Sequence, residues 1–206
     1  DAMLTENEQV KGEVFKPTER IKLYVVEVKN TTKGPKILVS RTHPELVKRL
    51  FELEIPEVMD GTVQIKAISR EPGIRSKVAV YSVDEQVDAV GSCVGPKGSR
   101  VEQIVEELRG EKIDIIPWSS DVIEFVAASL SAAKVLMVQI NEEEHAAKVI
   151  VPDNQLSLAI GMRGINAKLA ARLTGWKTDI KSQTQAQEMY DEMIEQERQA
   201  QEQSEE

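Results

Sequence analysis

Two four-residue stretches carry the residue types for chemistry, GPKG at 95–98 and GMRG at 161–164, each a glycine pair enclosing one cation and running into a helical pattern. A turn between two helices leaves the first N–H groups of the second helix without intrahelical partners, so they point at whatever sits in the turn. Glycine at both ends (Gly95 and Gly98, then Gly161 and Gly164) removes Cβ atoms that would hold a ligand away and permits positive φ. Lys97 and Arg163 fall inside the turns, where a cation would meet a phosphate oxygen. The body expected against this backbone is a nucleic-acid chain.

Other chemistries lack their parts. One cysteine, Cys93, cannot form an internal disulfide, and with only His43 and His145 it cannot complete a four-ligand zinc site. A GxxxxGKS phosphate loop fails because Pro96 stands where its second glycine would be counted from Gly91. Glu142, Glu143 and Glu144 read as a solvated hairpin tip, and Trp118 and Trp176 as packing at strand ends. No catalytic residue, metal or cofactor is therefore expected, and the chain is read as a non-enzyme.

The glycine spacing alone is a weak signal, since 11 glycines placed at random in 206 positions would give roughly 0.6 such pairs. An internal repeat gives it weight. Shifted by 66 residues, DAVGSCVGPKGSRV (88–101) lies over NQLSLAIGMRGINA (154–167), and after one deletion Leu108, Gly110, Lys112, Asp114 and Ile115 meet Leu173, Gly175, Lys177, Asp179 and Ile180.

Each copy shows the same order of elements. Thr42 and Glu45 have capping-box spacing ahead of Leu46, Val47, Leu50 and Phe51, which predicts a helix, and two β-branched runs around EPG then predict a hairpin. A short helix leads to the glycine turn; Ser99 and Glu102 again have capping-box spacing, Gly110 stops the next helix, and KIDII closes as a strand. The second copy repeats this, giving helix, strand, strand, helix, turn, helix, strand twice. Only PWSS joins the copies, too short for independent tumbling, so one rigid block is expected.

The net charge of −9 conceals its distribution. From residue 181 to 206 eight acids face two bases, whereas residues 9–49 hold ten Lys/Arg against four Glu, and 161–181 five against Asp179 alone. No run of 18 apolar residues and no secretion pattern is present, which predicts a soluble protein in the cytoplasm with no membrane association.

A GxxG between helices in this order of elements resembles the KH domain in its bacterial, type II arrangement, with the extra helix first. The resemblance implies an α+β fold of tandem type II KH domains (α-β-β-α-α-β each) that clamp single-stranded RNA, about four nucleotides per module. It further implies that Gly95, Pro96, Lys97, Gly98 and Ser99, then Gly161, Met162, Arg163, Gly164 and Ile165, hold the RNA backbone, with Arg100 and Lys168 nearby. Pro96 offers no N–H, a mild departure in the first copy. Ahead of the repeat, RIKLYVVEV and PKILVSR resemble the last two strands of an S-one-type OB barrel, with Lys33, Lys36 and Arg41 as further RNA contacts.

With PWSSD and PDNQLSLAIG in order, about residues 4 to 183 resemble the NusA family of bacterial transcription factors. At 88–89 the chain has Asp-Ala where that family usually has Asp-Pro. The implied organisation is a partial barrel at 1–42, a first KH domain at 43–118, a second at 119–183, and an acidic Gln/Glu-rich tail at 184–206, a frayed helix or disordered. The implied role is contact with nascent RNA at RNA polymerase, modulating pausing, termination and antitermination alongside other antitermination factors. The family's polymerase-binding domain is expected to lie outside this chain. The alternative kept open is a KH-based protein-interaction scaffold with little RNA affinity. A phosphorolytic RNA-processing enzyme would place the barrel after the KH unit and need a large catalytic region.

Overall fold

The computed structural model describes residues 1–204. Its first stretch forms β1 (Ala2–Met3), β2 (Tyr24–Thr31) and β3 (Gly34–Ser40) in a three-stranded sheet of order β1-β3-β2. The expected hairpin is thus present, within a small open sheet. Lys29 and Lys36 sit directly opposite each other in its antiparallel register, a like-charge pairing that costs stability.

The first repeat follows as α1 (Pro44–Glu54), α2 (Pro56–Met59), β4 (Val63–Glu71), β5 (Arg75–Ser82), α3 (Ala89–Val94), α4 (Ser99–Glu107) and β6 (Lys112–Pro117). Leu46, Val47, Leu50 and Phe51 face one way on α1 and are buried with Val78, Val80, Cys93 and Ile104 in a single core. β5 is central, antiparallel to β4 and parallel to β6, so the α3–α4 pair serves as the crossover that lets β6 run alongside β5.

The capping of α1 differs from expectation. Its N-cap is His43, whose Nδ1 accepts from the Glu45 N–H at 3.0 Å, while the Thr42 hydroxyl donates to Glu8. The cause is Pro44 at the first helical position, which holds the residue before it extended and so moves the cap one place on.

The second repeat comprises α5 (Val122–Ser129), β7 (Met137–Asn141), β8 (Ala146–Val151), α6 (Leu156–Ile160), α7 (Ile165–Thr174) and β9 (Lys177–Ser182), with sheet order β7-β8-β9 and the same antiparallel-then-parallel pairing. Val126, Leu130, Val149, Ala159 and Ala170 fill its core. Trp176 is buried there and stacks on His145 at 3.9 Å between ring centroids. The chain divides into two compact units at Ser119/Ser120, the first holding both the β1-β3-β2 sheet and the first repeat. Among the described residues, no helix is long and apolar enough to cross a membrane.

The tail, expected as a frayed helix or disorder, is helical as far as Ser204. A continuous helix, α8 (Gln183–Ser204), follows β9 directly, and residues 205–206 of the predicted tail lie outside the described residues. A capping box starts it: the Gln185 N–H donates to Ser182 Oγ at 3.2 Å and the Ser182 N–H to Gln185 Oε1 at 3.0 Å. Asp153 accepts from the Thr184 N–H at 2.9 Å and from the Thr184 hydroxyl, and these hydrogen bonds hold its carboxyl below the usual carboxylate range. Pairs such as Gln187–Asp191 and Glu195–Arg198 then support its exposed face.

Arg41 is the main correction to the basic cluster. Its side chain is 1% exposed; Nη2 lies 2.5 Å from Glu13 Oε2 and Nη1 3.2 Å from Glu107 Oε1, with further bonds to the carbonyls of Lys22 and Glu107. Every donor direction is committed, so Arg41 cannot meet a phosphate; it joins the N-terminal segment to α4. Removing it leaves the buried Glu13 carboxylate only the more distant Arg109 Nε, 3.7 Å away. Arg41→Met should lower stability by about 3–5 kcal/mol in urea denaturation, and Arg41→Lys, without the planar fork, should recover little of it. A loss under about 1 kcal/mol for Arg41→Met would contradict the structural role.

Candidate nucleic-acid interface

The two glycine elbows adopt one backbone conformation. Gly95 and Gly161 have φ/ψ of 73°/173° and 78°/168°, Lys97 and Arg163 of 54°/29° and 55°/24°, Gly98 and Gly164 of 77°/8° and 73°/12°. The copies agree to within 5° at every one of these angles. The first glycine occupies a region that is essentially closed to other residues, and the last two positions are left-handed.

The two glycines of each elbow are required for different reasons. A Cβ on Gly95 would meet Arg100 Cγ at 2.6 Å, and one on Gly161 would meet Asn166 Cβ at 2.7 Å and the Asn166 N at 2.8 Å. The first glycine is therefore demanded from inside, by the following helix. A Cβ on Gly98 would come no nearer than 3.6 Å to Glu102, and one on Gly164 would meet nothing within 4 Å. Only the second glycine leaves a bare, open surface.

Arg100 and Asn166, equivalent under the 66-residue shift, hold this approach in place. Arg100 Nη1 donates to the Ser92 carbonyl at 2.8 Å and pairs with Glu57 Oε2 at 2.7 Å. Asn166 Nδ2 donates to the Ala159 carbonyl at 2.9 Å and reaches that of Leu158 at 3.5 Å. Each ties the helix after the elbow to the last turn of the helix before it. Arg100 is thus directed inward rather than toward a ligand. Asn166 and Glu57 were not singled out from sequence, although the repeat already set Asn166 under Arg100. Beneath α3, burial first and the charge of Glu57 second push the Cys93 thiol up to about 12, so it stays protonated and packs.

The expected free N–H groups are partly consumed. Gly98 N–H donates to Gly95 O and Gly164 N–H to Gly161 O, both at 3.1 Å, while the N–H groups of Ser99 and Ile165 donate to Pro96 O and Met162 O. Neither α4 nor α7 has a side-chain cap, and the N-cap of each is the second glycine, so Ser99 lies inside its helix and the Ser99–Glu102 capping box does not form. Exposed at the elbows are Pro96 and Lys97 in the first and Met162, 83% exposed, and Arg163 in the second. Among the described residues, Lys97 and Arg163 make no ion pair. Lys168 is exposed on α7, and Lys33 and Lys36 are exposed on the β2–β3 hairpin.

Two family models match, those of the NusA-like first KH domain at residues 41–118 and the NusA-like second KH domain at 122–188. Over 189 residues, 92% of the chain, it is 64% identical to the transcription termination/antitermination protein NusA of Bacillus subtilis and 59% identical to that of Halalkalibacterium halodurans. Over 175 residues, 84% of the chain, it is 53% identical to the protein of the same name in Mycobacterium tuberculosis. The chain spans about half the length of these relatives, 51%, 50% and 50% respectively.

The geometry separates the glycines by substitution. Gly161→Ala should cost about 3 kcal/mol, from a forbidden backbone region and a backbone clash, whereas Gly164→Ala, with open space and only left-handed strain, should cost about 1–2 kcal/mol. Urea denaturation of both variants checks this, and equal losses would contradict the inside/outside division.

Proposed function

Because this chain belongs to the NusA family, we propose that it is the single-stranded RNA-binding part of a transcription elongation, termination and antitermination factor, acting without catalysis. In this reading its repeats are type II KH domains, and β2–β3 are the closing strands of an S-one-type OB barrel. The factor works in the cytoplasm on nascent RNA at RNA polymerase, which it meets mainly through a domain outside this chain, and with other antitermination factors it alters pausing and termination.

One observation carries the RNA reading: the same strained elbow occurs twice, each time with an exposed cation in the left-handed region and an open glycine beside it. Left-handed backbone costs about 1–2 kcal/mol at a non-glycine residue. Folding alone would be served better by glycine at both positions; phosphate contact accounts for a Lys and an Arg there. At each elbow a ribose-phosphate backbone lies over the second glycine, Gly98 or Gly164, with Lys97 or Arg163 on its oxygens. Ser99, Ile165 and Lys168 border the path, while Lys33 and Lys36 extend the positive surface on the hairpin. Lys29 and Lys36, kept face to face against their repulsion, fit the same use.

The test separates binding from folding. In the Lys97→Gly/Arg163→Gly double variant, relief of backbone strain should leave thermal stability unchanged or raised. Affinity for a single-stranded RNA, by fluorescence anisotropy, should fall roughly tenfold per cation. The slope of log K against log salt should become shallower by about 1.4, two contacts at about 0.7 each. Unchanged affinity and slope would contradict the clamp, and salt-insensitive failure of the parent chain to bind any single-stranded RNA would favour the protein-interaction scaffold.

A further inference from the structure

The two elbows share a backbone conformation but not an electrostatic surface. Four residues past the second glycine, on the helix that follows, the first repeat has Glu102 and the second has Lys168, both exposed. Glu102 reaches back over its elbow: a Cβ on Gly98 would lie 3.6 Å from its Oε1 and 3.9 Å from its Cδ, whereas one on Gly164 would meet nothing within 4 Å. A carboxylate therefore stands at the one bare face of the first elbow. Nearby groups do not offset it, since Arg100 is held by Glu57 and Pro96 brings no N–H.

We propose that Glu102 makes the first elbow the weaker of the two phosphate sites, so that the second elbow anchors the RNA backbone. This role presupposes the elbows as RNA clamps and adds which of them anchors and which residue decides it. A phosphodiester resting on Gly98 meets a like charge at short range, and Lys97 must first offset that repulsion. The end of the helix adds to the difference. The N-terminus of a helix favours an anion, and in α4 the chain's own Glu102 already occupies that field, whereas α7 has no acid in its first turn.

Packing does not account for the carboxylate. Glu102 caps no N–H at the start of α4, and among the described residues it pairs with no cation. Its contribution to the fold is confined to the field of the helix end, so a neutral residue of the same shape leaves the elbow's backbone as it is. A strand long enough to engage both elbows fills them in one event, and the inequality is then read from substitutions and not from two separate saturations.

The test uses the 206-residue chain with labelled oligo(U) and oligo(dU) of equal length. Glu102→Gln should raise affinity for oligo(U) about threefold, with thermal stability unchanged or slightly lowered. Glu202→Gln near the end of α8, an equal change of net charge, should leave affinity unmoved. Of the roughly hundredfold loss expected for the double cation variant, Arg163→Gly alone should account for about thirtyfold and Lys97→Gly for about threefold. Equal effects of Glu102→Gln and Glu202→Gln, or equal losses for Lys97→Gly and Arg163→Gly, would overturn the proposal and leave the clamps themselves standing. Weaker oligo(U) binding by Glu102→Gln, with oligo(dU) unmoved, would also overturn it, by making the carboxylate an acceptor for the ribose 2′-hydroxyl. A parent chain that binds neither polymer would remove the clamps and this role together.

Discussion

In each repeat, the helix after the elbow turns back so closely over the first glycine that no Cβ fits between them. Arg100 lies across Gly95, and the backbone of Asn166 lies across Gly161. This approach sets the angle between the two helices, and with it the left-handed run through the next two residues. The side chains that bond back to Ser92 and to Ala159 fix the closure at the same place in both copies by different means, a guanidinium held by Glu57 in one and a buried amide in the other. Identical backbone angles from unlike side chains show that the conformation, not a particular contact, is what the two copies share.

Once that approach is made, the cation position follows. A residue placed in the left-handed region between two helices projects away from the core, so Lys97 and Arg163 are exposed while Ile104 on α4 and Asn166, Leu169 and Ala170 on α7 are buried. The elbow converts interior packing into an outward charge and a bare patch of peptide. Strain of this kind persists where surrounding structure over-determines it, and here each helix is anchored in its own core through Ile104 or through Leu169 and Ala170.

Much of this was legible in the sequence, for identifiable reasons. The order of elements and both elbows followed from the 66-residue repeat and from apolar spacing, both local signals. The roles of individual cations were not local. Arg41 reads as one more member of a basic stretch because the carboxylates that bury it, Glu13 and Glu107, lie 28 and 66 residues away. Arg100 beside the elbow reads as a ligand contact until Glu57, 43 residues back, is seen to hold it. The difference between the inner and outer glycines of each pair is likewise set by packing that spacing does not encode. The tail is a different case, since its Gln- and Glu-rich composition obscured the Ser182–Gln185 capping box that begins just before it.

The account turns on the open side of the elbows being where RNA lies. Amide chemical shifts of the 206-residue chain, followed during titration with a single-stranded RNA, report this directly. The largest changes should fall on Gly98 and Gly164 and on their neighbours Lys97 and Arg163, saturating together and diminishing with salt. Changes confined to the β4-β5-β6 or β7-β8-β9 sheets, with those four amides unmoved at saturation, would contradict it.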